Sequence, residues 1–122
     1  IYKHGQLHNQ LSASLPEIAS KKVAKVVMDL LKPKGLRIDD IKHWAFHPGG
    51  EKVINAIRNE MGISAAQLHV TRDVLAKYGN MSSPTVFFVL REILNNGIAP
   101  GDLCMMVAFG AGLCAHAFLL RV

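Results

Sequence analysis

No apolar run in this 122-residue chain approaches the ~20 residues that a membrane-spanning helix needs, because Lys, Arg, Asp or Asn interrupts each one. There is no basic-then-apolar secretory leader. The chain opens Ile1-Tyr2-Lys3 without a methionine, so it is expected to be a processed or excised piece of a larger protein. Cysteine is scarce as well: Cys104 and Cys114 sit in apolar surroundings without CxxC spacing, which argues against a zinc site and against a dense disulfide framework. Both thiols are expected to be small buried side chains in a reduced, cytoplasmic protein. Neither GxGxxG nor GxxxxGK[ST] occurs, so no phosphate loop is indicated. No RNP-type aromatic stripe or helix-turn-helix pattern points to nucleic acid. Internal repeats and low-complexity tracts are also lacking.

What is present is half hydrophobic, in the range of an ordinary globular protein, and the length suits one domain over residues 1–122. The formal charge is +5. Part of it gathers where Lys21, Lys22, Lys25, Lys32, Lys34, Arg37 and Lys42 outnumber Asp29, Asp39 and Asp40. Such a face suits an anionic partner, and it equally suits a solvated helix surface, which is the plainer reading.

Residues 7–15 predict a short strand. Ser14 and Glu17 have capping-box spacing, with Pro16 in the first turn, and Val23, Val26, Val27, Leu30 and Leu31 then repeat at helical spacing until Pro33 and Gly35. Residues 41–47 alternate as a strand, with Trp44 and Phe46 fit for a half-buried sheet face. Gly49 and Gly50 open a second helix carrying Val53, Ile54, Ile57 and Met61, which Gly62 stops. Residues 68–70 predict a brief strand, followed by a short helix capped by Thr71. Ser83 and Pro84 start another helix through the almost wholly apolar 86–90, which is expected to be buried on all sides. Residues 103–109 and 113–120, joined by Gly110-Ala111-Gly112, read as an antiparallel hairpin. The element order gives an α/β layered domain with a mixed sheet.

Among polar groups, His4 with His8 and His43 with His47 have HxxxH spacing. On a strand, four residues at ~3.3 Å each put the second pair about 13 Å apart, which excludes a shared metal. The first pair has no third ligand, so no metal site is expected. A histidine at a strand end and an asparagine just before an apolar helix remain. Each on its own fits a structural role, His47 as a satisfied core group and Asn80 as a turn residue.

Together, however, "FHPGG" at 46–50, "TRDVLAKYGNMSSP" at 71–84 and "AFGAGL" at 108–113 resemble the C-terminal half of type III polyketide synthases, the chalcone and stilbene synthase family. The likeness runs from about the first helix to the end, in one order and spacing. It implies the thiolase-like layered α-β-α-β-α fold, of which this chain would be the C-terminal half, with a mixed sheet packed between helices. It implies an acyltransferase that decarboxylates malonyl-CoA, condenses the carbanion with an acyl thioester derived from an acyl-CoA starter, and cyclises the product to a pyrone or aromatic polyketide. By the resemblance His47 and Asn80 are the catalytic histidine and asparagine. Both can donate hydrogen bonds to the malonyl thioester carbonyl, and one such donor is worth ~3 kcal/mol. His47 would also hold the nucleophilic cysteine as thiolate.

That cysteine belongs to the family's N-terminal half, so the isolated chain is expected to be inactive. Cys114 stands where the family usually has a threonine. Ser82 aligns with a cavity-lining position, and Phe109, Gly110, Ala111 and Gly112 align with the GFGPG loop that shapes the cyclisation pocket. Here the loop's usual first glycine and its proline are both alanine, a departure that bears on product specificity. Gly49 and Gly50 would lie near the coenzyme A arm. Coenzyme A thioesters enter as substrates, no separate cofactor is implied, and the full-length protein is expected to be a homodimer. The β-ketoacyl carrier-protein synthases that start fatty-acid synthesis use the same residues but read HQAN and GNTSAAS. A non-catalytic anion-binding module built on the lysine-rich helix is the alternative of another class.

Overall fold

Tyr2–Lys3 (β1) and Gln6–Leu7 (β2) pair antiparallel in a computed structural model that describes residues 2–3, 6–7, 13–47, 50–81, 84–110 and 114–122. The strand expected over 7–15 is only partly tested, since residues 8–12 lie outside the described residues. Its far end is already helical: α1 runs Leu15–Leu31. The expected capping box is not made. Ser14 has α-helical torsions (φ −84°, ψ −2°) where a capping residue needs extended ones, and its side chain makes no cap bond. The Glu17 carboxylate turns instead to Lys21 at 3.1 Å.

One stripe of α1, Ala19, Val23, Val27 and Leu31, is buried, while Lys21–Glu17 and Lys25–Asp29 pair on the solvent side. Exposed helix pairs contribute about 0.3–0.5 kcal/mol each, whereas burying one Val or Leu side chain contributes about 1.5–3 kcal/mol. The apolar stripe therefore holds this helix, and its lysines behave as a solvated face.

The second strand-forming region is β3, His43–Phe46, followed by α2, Glu51–Met61, whose buried residues are the four expected ones and whose end is closed by left-handed Gly62. The predicted strand at 68–70 does not form. A tight 3-10 turn over Ala66–Leu68 leads straight into α3, His69–Tyr78, so Thr71 lies inside the helix and not at its cap. The start signal sits earlier in the chain. Gln67 N–H donates to the Ser64 hydroxyl at 3.2 Å, and Ser64 N–H donates to Gln67 Oε1 at 3.0 Å, a reciprocal Ser-x-x-Gln box.

Thr85–Asn95 forms α4, and Leu103–Gly110 (β4) with Cys114–Arg121 (β5) forms the expected hairpin. The three long strands make a mixed sheet in the order β3-β4-β5, with β3 and β4 parallel and β4 and β5 antiparallel. Side-chain alternation divides the core between its two faces. Trp44, Phe46, Met105 and Val107 pack with α1 and α2, while Ala45, Cys104 and Met106 pack with Val74 of α3 and with Val86, Val89 and Ile93 of α4. Trp44 and Phe46 are 0% and 1% exposed, deeper than half-buried, and their rings stack at 5.6 Å. The expectation that α4 is buried all round fails: only the side facing the sheet is covered, and Phe87 is 65% exposed. Cys104 is buried as expected, but Cys114 is exposed, because it faces outward at the start of the last strand.

Candidate active site

Because β3 and β4 run parallel with Phe46 opposite Val107, both strands end on the same side of the sheet. The crevice outside the carboxyl ends of such strands is where open α/β sheets bind ligands. His47 is the first residue beyond β3. Its N–H continues the ladder by donating to the Val107 carbonyl at 2.8 Å, which fixes where the side chain starts. His47 is 7% exposed. Its Nδ1 donates to the carbonyl oxygen of Phe109 at 2.9 Å, and the Phe109 ring stacks on it with centroids 5.0 Å apart and planes 20° from parallel.

Asn80 reaches the same place from the loop between α3 and α4. Its Oδ1 lies 3.4 Å from His47 Nε2, a long contact. Asn80 itself is exposed, so the crevice is open on its side. Two glycines permit this arrangement. Gly50 (φ 122°, ψ 161°) turns the chain from the His47 segment into α2, and Gly79 (φ 72°, ψ −174°) turns it out of α3 toward Asn80. Both torsion pairs belong to a region that only glycine occupies without strain. Beyond Asn80, Met81 N–H donates to Thr85 Oγ1 at 2.9 Å, tying the loop to the first turn of α4.

Of the residues singled out in the sequence, His47, Asn80, Phe109, Gly110 and Gly50 lie along the segments that meet here. Gly49, Ser82, Ala111 and Gly112 lie outside the described residues. His43 and His47 do not converge: Nε2 of His43 lies 2.9 Å from Asp102 Oδ2, while His47 turns to Phe109. Asp102 also accepts from Ala99 N–H at 3.0 Å and lies 3.3 Å from Lys42, so it joins the starts of β3 and β4 at the end remote from His47.

The supporting roles of two residues escaped the sequence reading. Thr71, fully buried, takes the Phe46 N–H on its hydroxyl at 3.4 Å and so steadies the last residue of β3. Phe109 was read as the end of a strand and, by the resemblance, as part of the pocket-shaping loop, but not as the partner of His47; the signal was the parallel pairing that brings the two strand ends together.

A family described as "Chalcone and stilbene synthases, C-terminal domain" matches residues 3–122. The chain belongs to the chalcone and stilbene synthase family. Within this family it is similar to the alpha-pyrone synthesis polyketide synthase-like Pks18 of Mycobacterium tuberculosis and of Mycobacterium bovis, at 38% identity over 121 residues. That alignment takes in 98% of this chain and 31% of the relative, so the chain spans about a third of the length of these synthases. Among solved structures it superposes on PKS-I from the brown alga Ectocarpus siliculosus with a TM-score of 0.86 and 34% identity, covering 99% of this chain and 34% of that one. It also superposes on the C-terminal type III polyketide synthase domain of Steely1, a type I/III hybrid from Dictyostelium, with a TM-score of 0.82 and 30% identity, covering 92% and 32%. The thiolase-like α/β fold expected from the resemblance is therefore the fold of this chain, and the α1/α2, sheet and α3/α4 layers are its share of it.

Proposed function

We propose that the protein carrying this chain is a type III polyketide synthase, an acyltransferase that condenses malonyl-CoA decarboxylatively with a CoA-derived acyl thioester and cyclises the chain to a pyrone or aromatic polyketide. The observation that carries this reading is the approach of His47 and Asn80 at the carboxyl ends of β3 and β4, in a chain of this family. Loss of carbon dioxide from malonyl-CoA leaves an enolate whose charge falls on the thioester oxygen. His47 and the Asn80 amide, both held before the substrate arrives, would donate to that oxygen as the charge develops.

His47 would also hold the attacking cysteine as thiolate, and that cysteine is supplied by a part of the protein outside this chain. Cys104 stands opposite His43, four residues before His47 and so roughly 13 Å from it along the strand. Burial also pushes its thiol up to about 11, the wrong direction for a nucleophile. Cys114 lies exposed opposite Gly110. On this reading the isolated chain is inactive, and its partner is the rest of the synthase, working as a cytoplasmic homodimer.

By the resemblance, Phe109 and Gly110, with Ser82, Ala111 and Gly112, would belong to the cyclisation pocket, and Gly49 and Gly50 to the path of the coenzyme A arm. The substrates are an acyl-CoA starter and malonyl-CoA, with no resident cofactor. Similarity to relatives named for alpha-pyrone synthesis favours this reading over the β-ketoacyl carrier-protein synthase alternative. The pairing of the α1 lysines with Glu17 and Asp29 on an exposed face weighs against an anion-binding module.

The test is to give the full-length protein malonyl-CoA with a panel of acyl-CoA starters and to follow coenzyme A release and products by mass spectrometry. Pyrone or aromatic products from the full-length protein, and none from the isolated chain, support the proposal. Full-length protein that forms no carbon–carbon bond with any starter overturns it, and turnover by the isolated chain overturns the placement of the nucleophile.

A further inference from the structure

Both ring nitrogens of His47 face oxygen atoms that can only accept: the Phe109 carbonyl at Nδ1, 2.9 Å away, and Asn80 Oδ1 at Nε2, 3.4 Å away. A carbonyl oxygen has no proton to give. The shorter bond therefore keeps a proton on Nδ1 whether the ring is neutral or charged. When the ring is charged, Nε2 carries the second proton and donates toward Asn80 Oδ1. When the ring is neutral, Nε2 is a lone pair.

The same stretch of β4 governs the rest of the imidazole's placement. Val107 accepts the His47 backbone N–H at 2.8 Å, and two residues on, the Phe109 ring lies against the imidazole at 5.0 Å. Phe109 is fixed in turn by its position opposite Ala115 in the β4–β5 ladder. Backbone, ring plane and proton of His47 are thus all referred to residues 107–109, and a register slip between β3 and β4 would move all three.

We propose that Phe109 is the positioning residue of His47: its carbonyl makes Nδ1 a permanent donor and its ring holds the imidazole plane, so that Nε2 alone gains and loses the proton facing Asn80. This rests on the reading that His47 serves thioester chemistry. Phe109 acts through His47, in addition to any contact the loop after it makes with a growing polyketide. In this arrangement, donation from Nε2 to an oxyanion requires the imidazolium, because the neutral tautomer with its proton on Nε2 would give up the bond to Phe109.

Two measurements on the full-length protein test it. The first is two-bond proton–nitrogen correlation NMR with nitrogen-15-labelled histidine, with His47 assigned by its loss in His47→Gln. Nδ1 is expected to stay protonated across the titration while Nε2 changes; a neutral ring with its proton on Nε2, or a mixture of tautomers, overturns the proposal. The second compares Phe109→Leu with Phe109→Tyr in malonyl-CoA decarboxylation. Loss of the ring is expected to lower kcat about 10-fold with KM within about twofold, and Tyr, which keeps the ring, to restore it. Leu equal to the unsubstituted protein, or Tyr no better than Leu, overturns the role of the ring. The NMR measurement needs no activity. If His47→Gln left decarboxylation intact, the functional reading would fall while the tautomer result stood.

Discussion

Nδ1 of His47 lies 2.9 Å from the carbonyl oxygen of Phe109, a contact that joins the ends of two parallel strands across 62 residues of sequence. It is the point where fold and proposed chemistry depend on one another. The parallel register of β3 and β4 brings the two residues to one edge, and the glycine turns on either side bring in the neighbouring loops.

Gly50→Ala tests those turns. At φ 122° and ψ 161° a Cβ costs about 1–3 kcal/mol in backbone strain. The space itself is open, with nothing within 4 Å of the added atom, so any loss comes from the torsions and not from a clash. Chemical denaturation is expected to show that loss, with malonyl-CoA decarboxylation falling alongside it. Unchanged stability would mean that the turn into α2 tolerates a side chain.

Asp102 gives a pH dependence at the opposite end of the sheet. The hydrogen bond with His43, the Ala99 N–H and the Lys42 ammonium hold its carboxyl down to about 2, from an ordinary 3.8. A depressed carboxyl stabilises the fold above its ordinary value, and that contribution fades as pH falls from about 4 toward about 2. Thermal melts of Asp102→Asn beside the unsubstituted protein should therefore differ at about pH 5 and converge near pH 2. A gap that stays constant over that range would contradict the arrangement.

The two cysteines should behave oppositely toward an alkylating reagent. Cys114 is exposed, whereas Cys104 is buried and its thiol is pushed up to about 11 by desolvation. Peptide mapping after brief alkylation of the native protein is expected to find Cys114 modified, and Cys104 modified only after unfolding. Native-state modification of Cys104 would mean that the α4 face of the sheet opens readily.

Much of this was legible in the sequence. Long periodic segments such as α1 and α2 were readable because one physical force, burial of an apolar stripe, sets their spacing, and β4, which is buried on both faces, was readable from its glycine-bearing connection to β5. Residues 68–70 were misread because three apolar-biased residues carry no period, and the true signal, Ser64 with Gln67, was a side-chain bond and not a pattern. The failed cap at Ser14 shows the converse: the right spacing does nothing when the backbone at the cap is already helical. The exposure of α4 was missed because an apolar helix shows only what it avoids, not how much of its cover this chain supplies. His47 and Asn80 could be paired only through the resemblance, since 33 residues of helix and turn separate them and no short motif spans that distance. The role of Phe109 rests on strand register, which the sequence does not print.

The account's central claim is that His47 and Asn80 together stabilise the charge that forms when malonyl-CoA loses carbon dioxide. The most direct measurement is the decarboxylation rate of the full-length protein, compared with His47→Gln, Asn80→Ala and the double variant. Each single change is predicted to lower kcat by about 10²–10³-fold, the loss expected for one oxyanion donor. The double variant is predicted to lose less than the product of the two, since groups that act on one charge are not additive. Singles that decarboxylate at the unsubstituted rate would contradict the claim, and so would fully independent losses in the double variant.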